Sequence, residues 1–339
     1  MCTSESRNCR RFANTFPLFL VSNNLQYYTY TLPRPQDPKL KLKKSKAPPM
    51  SSLPSFLQLP PSSTYAVTGA TKGIGLEIAR LLLGASPSSR VLICSRNHSE
   101  VVLTVAMLSA EVPPLVTTSG ETQDRVFGVA CDLSTDEGRA TLVSGLTEAF
   151  GPTGLTGLIN NVGTNVRKDF LSQTSAEYSS IFQTNVDSAY HLTKLSSPLL
   201  FKCASSNPST GSVVVNVSSA AGVSSTGSGV AYAMSKSALL ALTRGLACEW
   251  AKSNVRVNAV APWTTYTPML AAAVSAFPSA LDKVKAWTPM GRLAEPAEIA
   301  GPVLFLCLPG LSSYVTGTCI NADGGLNAQG FEGPCITQV

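Results

Sequence analysis

Histidine is nearly absent from this chain, with two in 339 residues, His98 and His191. They are far apart and neither adjoins a carboxylate cluster, so surface or helix-packing roles fit them better than acid–base chemistry. No Cys-x-x-Cys pair occurs among the nine cysteines, so neither a zinc site nor a redox dithiol is indicated, and no metal is expected. Several thiols lie in apolar runs such as Val129-Ala-Cys131 and Leu304-Phe-Leu-Cys307, where they act as small buried hydrophobes, and the set suits a reducing compartment. No apolar run is long enough to cross a bilayer, the short patch Phe16-Pro-Leu-Phe-Leu-Val21 included, so a soluble protein with no membrane partner is expected. Internal repeats are missing too, which sets aside a solenoid.

What is present is ample material for one core, with 44% hydrophobic residues and a mean hydropathy of +0.15. The charge is unevenly placed. Residues 1–62 hold nine Lys or Arg against two acidic residues, whereas the rest holds 17 basic and 18 acidic. That leader includes the basic run Lys39 to Lys46 and a Ser- and Pro-rich stretch from Met50 to Ser63, with no helical or strand period. Three readings stay open for it: an organelle-targeting segment, such as a plastid transit peptide, on a chain otherwise expected in the cytoplasm; a disordered basic tail; or a start placed too early, with Met50 the true one. Residues 63–330 are expected to form a single domain, followed by a tail over 331–339. Beyond the basic leader nothing suggests nucleic-acid binding.

Within that body, apolar runs alternate with helix-length segments. Strands are expected near 64–69, 90–95, 126–131, 155–160, 211–218, 255–260 and 317–321, and helices near 73–84, 97–109, 135–149, 174–204, 230–252 and 295–307. This is the pattern of an α/β doubly wound Rossmann-type domain, about seven parallel strands with helices on both faces. Pro113 to Arg125 and Ser205 to Gly211 read as surface loops.

Two motifs carry chemistry. Gly69-Ala-Thr-Lys-Gly73-Ile-Gly75 follows the apolar run Tyr65 to Thr68 and opens into a helical period. Backbone without a Cβ can approach a pyrophosphate closely, and a helix N-terminus offers free N–H groups and partial positive charge. Farther on, Ala231-Tyr-Ala-Met-Ser-Lys236 follows Ser219 by a dozen residues. Positions i and i+4 of a helix share a face, so Tyr232 and Lys236 would meet, and the ammonium would favour the phenolate of a group whose ordinary pKa is about 10. Ser219 ends an apolar strand, where open α/β sheets place ligands. Alone, the Tyr-x-x-x-Lys pair could equally be an exposed helical tyrosine and lysine.

The order Thr68 to Gly75, Asn160-Asn-Val-Gly163, Asn185, Ser219, Tyr232 and Lys236 resembles the short-chain dehydrogenase/reductase family over about residues 62 to 330. Cys94-Ser-Arg-Asn97, Ala189-Tyr-His-Leu192, Leu246 to Lys252 with Val255-Arg-Val-Asn258, and Ala322-Asp-Gly-Gly325 are similar to its plant tropinone reductase-like branch. The resemblance implies catalytic roles for Ser219, Tyr232, Lys236 and Asn185, the last anchoring a water that links Lys236 to solvent. It implies a nicotinamide cofactor held by Gly69, Thr71, Lys72, Gly73, Ile74, Gly75, Arg96, Asp132, Leu133, Asn161, Gly163, Tyr232, Lys236, Pro262 and Thr267. Arg96 at the end of the second strand, where an NAD site would place a carboxylate, favours NADPH, and Lys72 adds charge. Asp132 has a helix N-cap role as its alternative, with Ser134 able to cap equally well. Asn161 reads as more structural than chemical, and Trp263 to Trp287 as the substrate lid, with Trp263, where relatives commonly carry glycine, bulky near the nicotinamide. The expected activity is reduction of a small-molecule carbonyl with NADPH by a homotetramer or homodimer. A 3-oxoacyl carrier-protein reductase and a non-catalytic nucleotide-binding sensor or scaffold are the alternatives.

Overall fold

The computed structural model describes residues 54–116, 120–268, 270 and 280–329, together with three short strands among the first 53. Much of the leader, residues 269 and 271–279 of the expected lid, and residues 330–339 lie outside the described residues. The chain divides into two units, Met1–Leu53 and Pro54–Val339. In the first, strands Thr15–Leu18, Gln26–Thr31 and Lys44–Lys46 pair antiparallel around the central one. No strand period is legible there. Tyr and Thr in Gln26–Thr31 nonetheless favour extended backbone by type rather than by alternation.

The second unit is built on a seven-stranded sheet. Its strands are β1 Thr64–Thr68, β2 Arg90–Ser95, β3 Val126–Ala130, β4 Gly157–Asn160, β5 Ser212–Val217, β6 Val255–Pro262 and β7 Cys319–Ala322. They lie in the order β3-β2-β1-β4-β5-β6-β7, every neighbouring pair parallel. All six residues of β5 and all eight of β6 are buried, because both faces of the sheet are covered. Successive side chains alternate between two cores. Tyr65, Val67, Val91, Ile93, Val213 and Val215 enter one, with α1 (Gly73–Gly84) and α8 (Pro296–Cys307); Ala66, Leu92, Leu158 and Val214 enter the other, with α3 (Asp136–Phe150). The sheet's direction of winding reverses between β1 and β4, so the ligand crevice of this topology opens at their C-terminal ends.

The remaining α-helices are α2 (His98–Glu111), α4 (Ser175–Phe182), α5 (Ser188–Ser206), α6 (Val230–Trp250), α7 (Ala280–Trp287) and the single turn α9 (Pro309–Ser312). The expected helix over 174–204 is interrupted by a π-helical turn at Gln183–Asp187 that joins α4 to α5. Such turns recur at functional sites, and this one carries Asn185. Two expected connections also contain structure: a small antiparallel hairpin, Leu115–Val116 with Thr122–Gln123, in the 113–125 loop, and α7 in the lid segment.

Candidate active site

The turn after β1 has the backbone that its glycines allow. Gly69 and Gly73 adopt φ of +62° and +59°, in the left-handed region. A Cβ at Gly75 would lie 2.4 Å from the Gly69 carbonyl oxygen and 2.5 Å from Asn161 Nδ2, so this position tolerates no side chain. Asn161 Nδ2 donates to the Thr68 and Gly69 carbonyls at 2.9 and 3.1 Å, while the Asn161 and Val162 N–H groups donate to Thr68 Oγ1 at 2.9 and 3.0 Å. The exit of β4 is therefore laced to the glycine turn through Asn161 and Thr68. Gly73, Ile74 and Gly75 open α1, and Thr267 reaches the same turn, its Cγ2 standing 3.2 Å from where a Cβ on Gly73 would be.

At the end of β2 Arg96 is exposed. Burial acts upward on the nearby Asp132 carboxyl, but hydrogen bonds from the Ser134 N–H and hydroxyl, at 3.0 and 2.8 Å, and to a lesser degree the charge of Arg96, hold it below its ordinary pKa. The cap of α3 is Thr135, which accepts the Gly138 N–H at 3.1 Å; neither Asp132 nor Ser134 has that role. Leu133 is buried behind Asp132. Lys72 is paired with Glu100 at 3.6 Å, and Thr71 donates to the same carboxylate at 3.2 Å.

Ser219, Tyr232 and Lys236 come together where β4 and β5 end against α6. Ser219 caps a 3-10 turn, accepting the Ala221 N–H at 3.2 Å, and its hydroxyl faces the Tyr232 phenol closely enough to favour the phenolate. Burial raises the phenol of Tyr232 above its ordinary pKa, and the Ser219 hydroxyl opposes that rise. Lys236 is 3% exposed; its Nζ donates to the Val217 carbonyl at 3.0 Å and stands 5.8 Å from the Tyr232 ring centroid. Desolvation lowers Lys236 to about 8. The expectation that its ammonium draws Tyr232 downward is not met in the protein alone, because burial dominates both groups and the ammonium is turned to a backbone carbonyl.

Asn185 is completely buried. Its Oδ1 accepts the Thr164 N–H at 2.7 Å, and its Nδ2 donates to the Thr164 carbonyl and to Ser235 Oγ, both at 2.9 Å. A Cβ on Gly163 would come within 3.1 Å of Lys236 Nζ and 3.5 Å of Asn185 Oδ1, which explains glycine there. Ser235, Thr164 and Glu100 are contacts that the sequence reading missed. For Glu100 a signal existed: Asn97 followed three residues later by glutamate is a capping pattern.

Two cavities flank this group without containing it. The larger, about 1180 Å³, lies along Val230, Ala233, Met234 and Ser237, the face of α6 turned away from Tyr232 and Lys236. The other, about 340 Å³, is lined by Trp263, Thr288, Met290 and Asp323 among others. Trp263 donates its indole N–H to Thr288 Oγ1 at 3.0 Å, so its ring belongs to a cavity whose lining includes neither Ser219 nor Tyr232. Pro262 ends β6, buried. Among the described residues no group of His, Cys, Asp and Glu could hold a metal, and no helix is long and apolar enough to cross a membrane.

Residues 69–327 match a family model described as enoyl-(acyl carrier protein) reductase. A tropinone reductase homolog of Arabidopsis thaliana is 40% identical over 268 residues, 79% of this chain and 93% of the relative. One from Datura stramonium is 38% identical, over 79% and 93%. An Arabidopsis thaliana homolog named as chloroplastic is 38% identical, over 78% and 76%. Among solved structures, the Pseudomonas aeruginosa RhlG/NADP active-site complex is similar with a TM-score of 0.70 and 30% identity, covering 81% of this chain and all of that one. An actinorhodin polyketide ketoreductase variant with NADPH has a TM-score of 0.68 and 29% identity, over 79% and 98%.

Proposed function

The chain belongs to the short-chain dehydrogenase/reductase family of oxidoreductases, and from that premise we propose that it reduces a ketone to an alcohol with NADPH. The observation that carries this reading is the meeting of Ser219, Tyr232 and Lys236 at the strand ends, next to a glycine turn in which a Cβ at Gly75 would strike backbone. The glycine turn, Thr267, Asp132 and Arg96 would hold the dinucleotide, with Lys236 at its nicotinamide ribose. When bound, the cofactor supplies the hydride.

The side chains handle the proton. A phenol raised by burial keeps its proton at neutral pH, so Tyr232 is poised as the acid that protonates the developing alkoxide. Ser219, facing the same phenol, orients the carbonyl oxygen. Lys236 adds positive charge beneath the ring, and Asn185 anchors the turn of α6 that carries both and completes the relay toward solvent.

The deciding experiment is Tyr232→Phe, assayed by NADPH depletion on cyclic ketones, terpenoid ketones and acetoacetyl thioesters. Turnover is expected to fall by at least about 10²-fold with NADPH binding retained; a variant keeping most of its activity sinks the mechanism. Preference for the thioester arm would favour carrier-protein substrates, a reading supported by the likeness to a Brucella melitensis 3-oxoacyl-[acyl-carrier protein] reductase, at 28% identity and a TM-score of 0.67 over 81% of this chain and 96% of that one. We further propose a homotetramer or homodimer, testable by light scattering, and either a cytoplasmic or a plastid location, testable with a fluorescent fusion of the full chain.

A further inference from the structure

Glu100 stands in the first turn of α2, where its N–H is accepted by the Asn97 side chain at 3.1 Å. From there its carboxylate reaches the glycine turn: Oε2 accepts the Thr71 hydroxyl at 3.2 Å, and Oε1 is 3.6 Å from Lys72 Nζ. Arg96 directly precedes Asn97 and acts on the Asp132 carboxyl, so two cations and two carboxylates gather around the glycine turn and the ends of β2 and β3, and Glu100 is the carboxylate that pairs with Lys72. The two possible dinucleotides ask opposite things of this corner. A 2′-phosphate needs cations free of other anions, whereas a 2′-hydroxyl needs an acceptor, which a carboxylate supplies.

We propose that Glu100 is a specificity-determining residue that narrows the preference for NADPH over NADH, because its carboxylate competes with the 2′-phosphate for Lys72 and offers the 2′-hydroxyl an acceptor. The inference rests on the cofactor reading above. Lys72 and Glu100 retain 61% and 41% exposure, so solvent screens the competition, and it amounts to a few-fold in affinity.

The test is Glu100→Gln, which keeps size and leaves Thr71 an acceptor. Dissociation constants for NADPH and NADH are measured by titration calorimetry without substrate, for wild type, Glu100→Gln and Arg96→Ala. In Glu100→Gln the NADPH constant should fall about threefold and the NADH constant rise about threefold, a change of about tenfold in their ratio. A ratio that stays put, or moves toward NADH because Glu100 serves to hold Lys72 in place for the phosphate, overturns the proposal. Arg96→Ala separates the two failures. If it weakens NADPH no more than NADH, the cofactor reading itself falls. If it weakens NADPH selectively while Glu100→Gln leaves the ratio unmoved, only the role of Glu100 is lost.

Discussion

The side-chain amide of Asn185 donates to Ser235 Oγ at 2.9 Å, and that hydroxyl donates in turn to the backbone carbonyl of Tyr232 at 2.7 Å. A π-helical turn between α4 and α5 is thereby tied to the turn of α6 that presents the phenol. Ser235 is fully buried, so Ser235→Ala would strand one amide N–H of Asn185 without water to replace the hydroxyl. The loss should be about 1–3 kcal/mol in urea unfolding. A positioning role also requires kcat to fall about tenfold while the KM for cofactor stays near its wild-type value. Stability within 0.5 kcal/mol of wild type, on the order of an ordinary surface change, would mean that the hydroxyl is not needed there.

Lys236 predicts a pH dependence. Its folded pKa of about 8 lies below its ordinary 10.5, so between these values the unfolded chain binds more protons than the folded one, and stability rises with pH. Below pH 8 the full cost of burying the ammonium is present; above 10.5 it is gone. Lys236→Met has no such term, so the wild type should gain about 3 kcal/mol relative to this variant across the window, most of it by pH 10. Taking the difference between the two proteins cancels the tyrosines, which titrate in both. Parallel denaturation curves at pH 7 and pH 10 with no change in the gap would contradict the buried charge.

How much of this was legible in advance depends on whether a feature is local. The seven strands could be placed because each is an apolar run between turn residues, and the glycine turn and the Tyr232–Lys236 pair because each lies within a few positions. The π-helical turn was not, since nothing in Gln183-Thr-Asn-Val-Asp187 departs from a helical pattern; the register shift appears only once Asn185 has found Thr164 and Ser235. Asn160 and Asn216, each in an apolar strand, likewise find partners that only the fold supplies: Thr193 and Thr243 on two different helices, and each other. The direction of the Trp263 ring is likewise set by a partner far along the chain, Thr288, 25 residues away.

Gly163 and Gly84 make a matched pair. A Cβ at Gly163 falls 3.1 Å from Lys236 Nζ, so the ammonium would have to give by a few tenths of an ångström against its bond to the Val217 carbonyl, whereas a Cβ at Gly84 meets nothing within 4 Å. Gly163→Ala should therefore lower kcat by about tenfold, since the group it presses on stands at the proposed proton-transfer site. Gly84→Ala, at the end of α1, should leave kcat unchanged and raise stability by up to about 1 kcal/mol through helix propensity. Steady-state kinetics and thermal unfolding of both variants test the pair; equal losses of activity would show that the contact with Lys236 is not what glycine protects.

Trp263→Phe separates the two roles open to that residue. Its indole N–H bonds Thr288 Oγ1, and the Thr288 hydroxyl itself donates to the Val284 carbonyl at 2.7 Å, so removing the indole leaves no buried donor stranded. The expected cost is therefore small, about 0.5–1.5 kcal/mol. With the ring lining a cavity that contains neither Ser219 nor Tyr232, kcat/KM should stay within about twofold for every ketone accepted by the wild type. Measured across a series of ketones of increasing bulk, a selective gain for the larger members would instead place the indole on the path of the substrate, and the bond to Thr288 would then be the latch that holds it there.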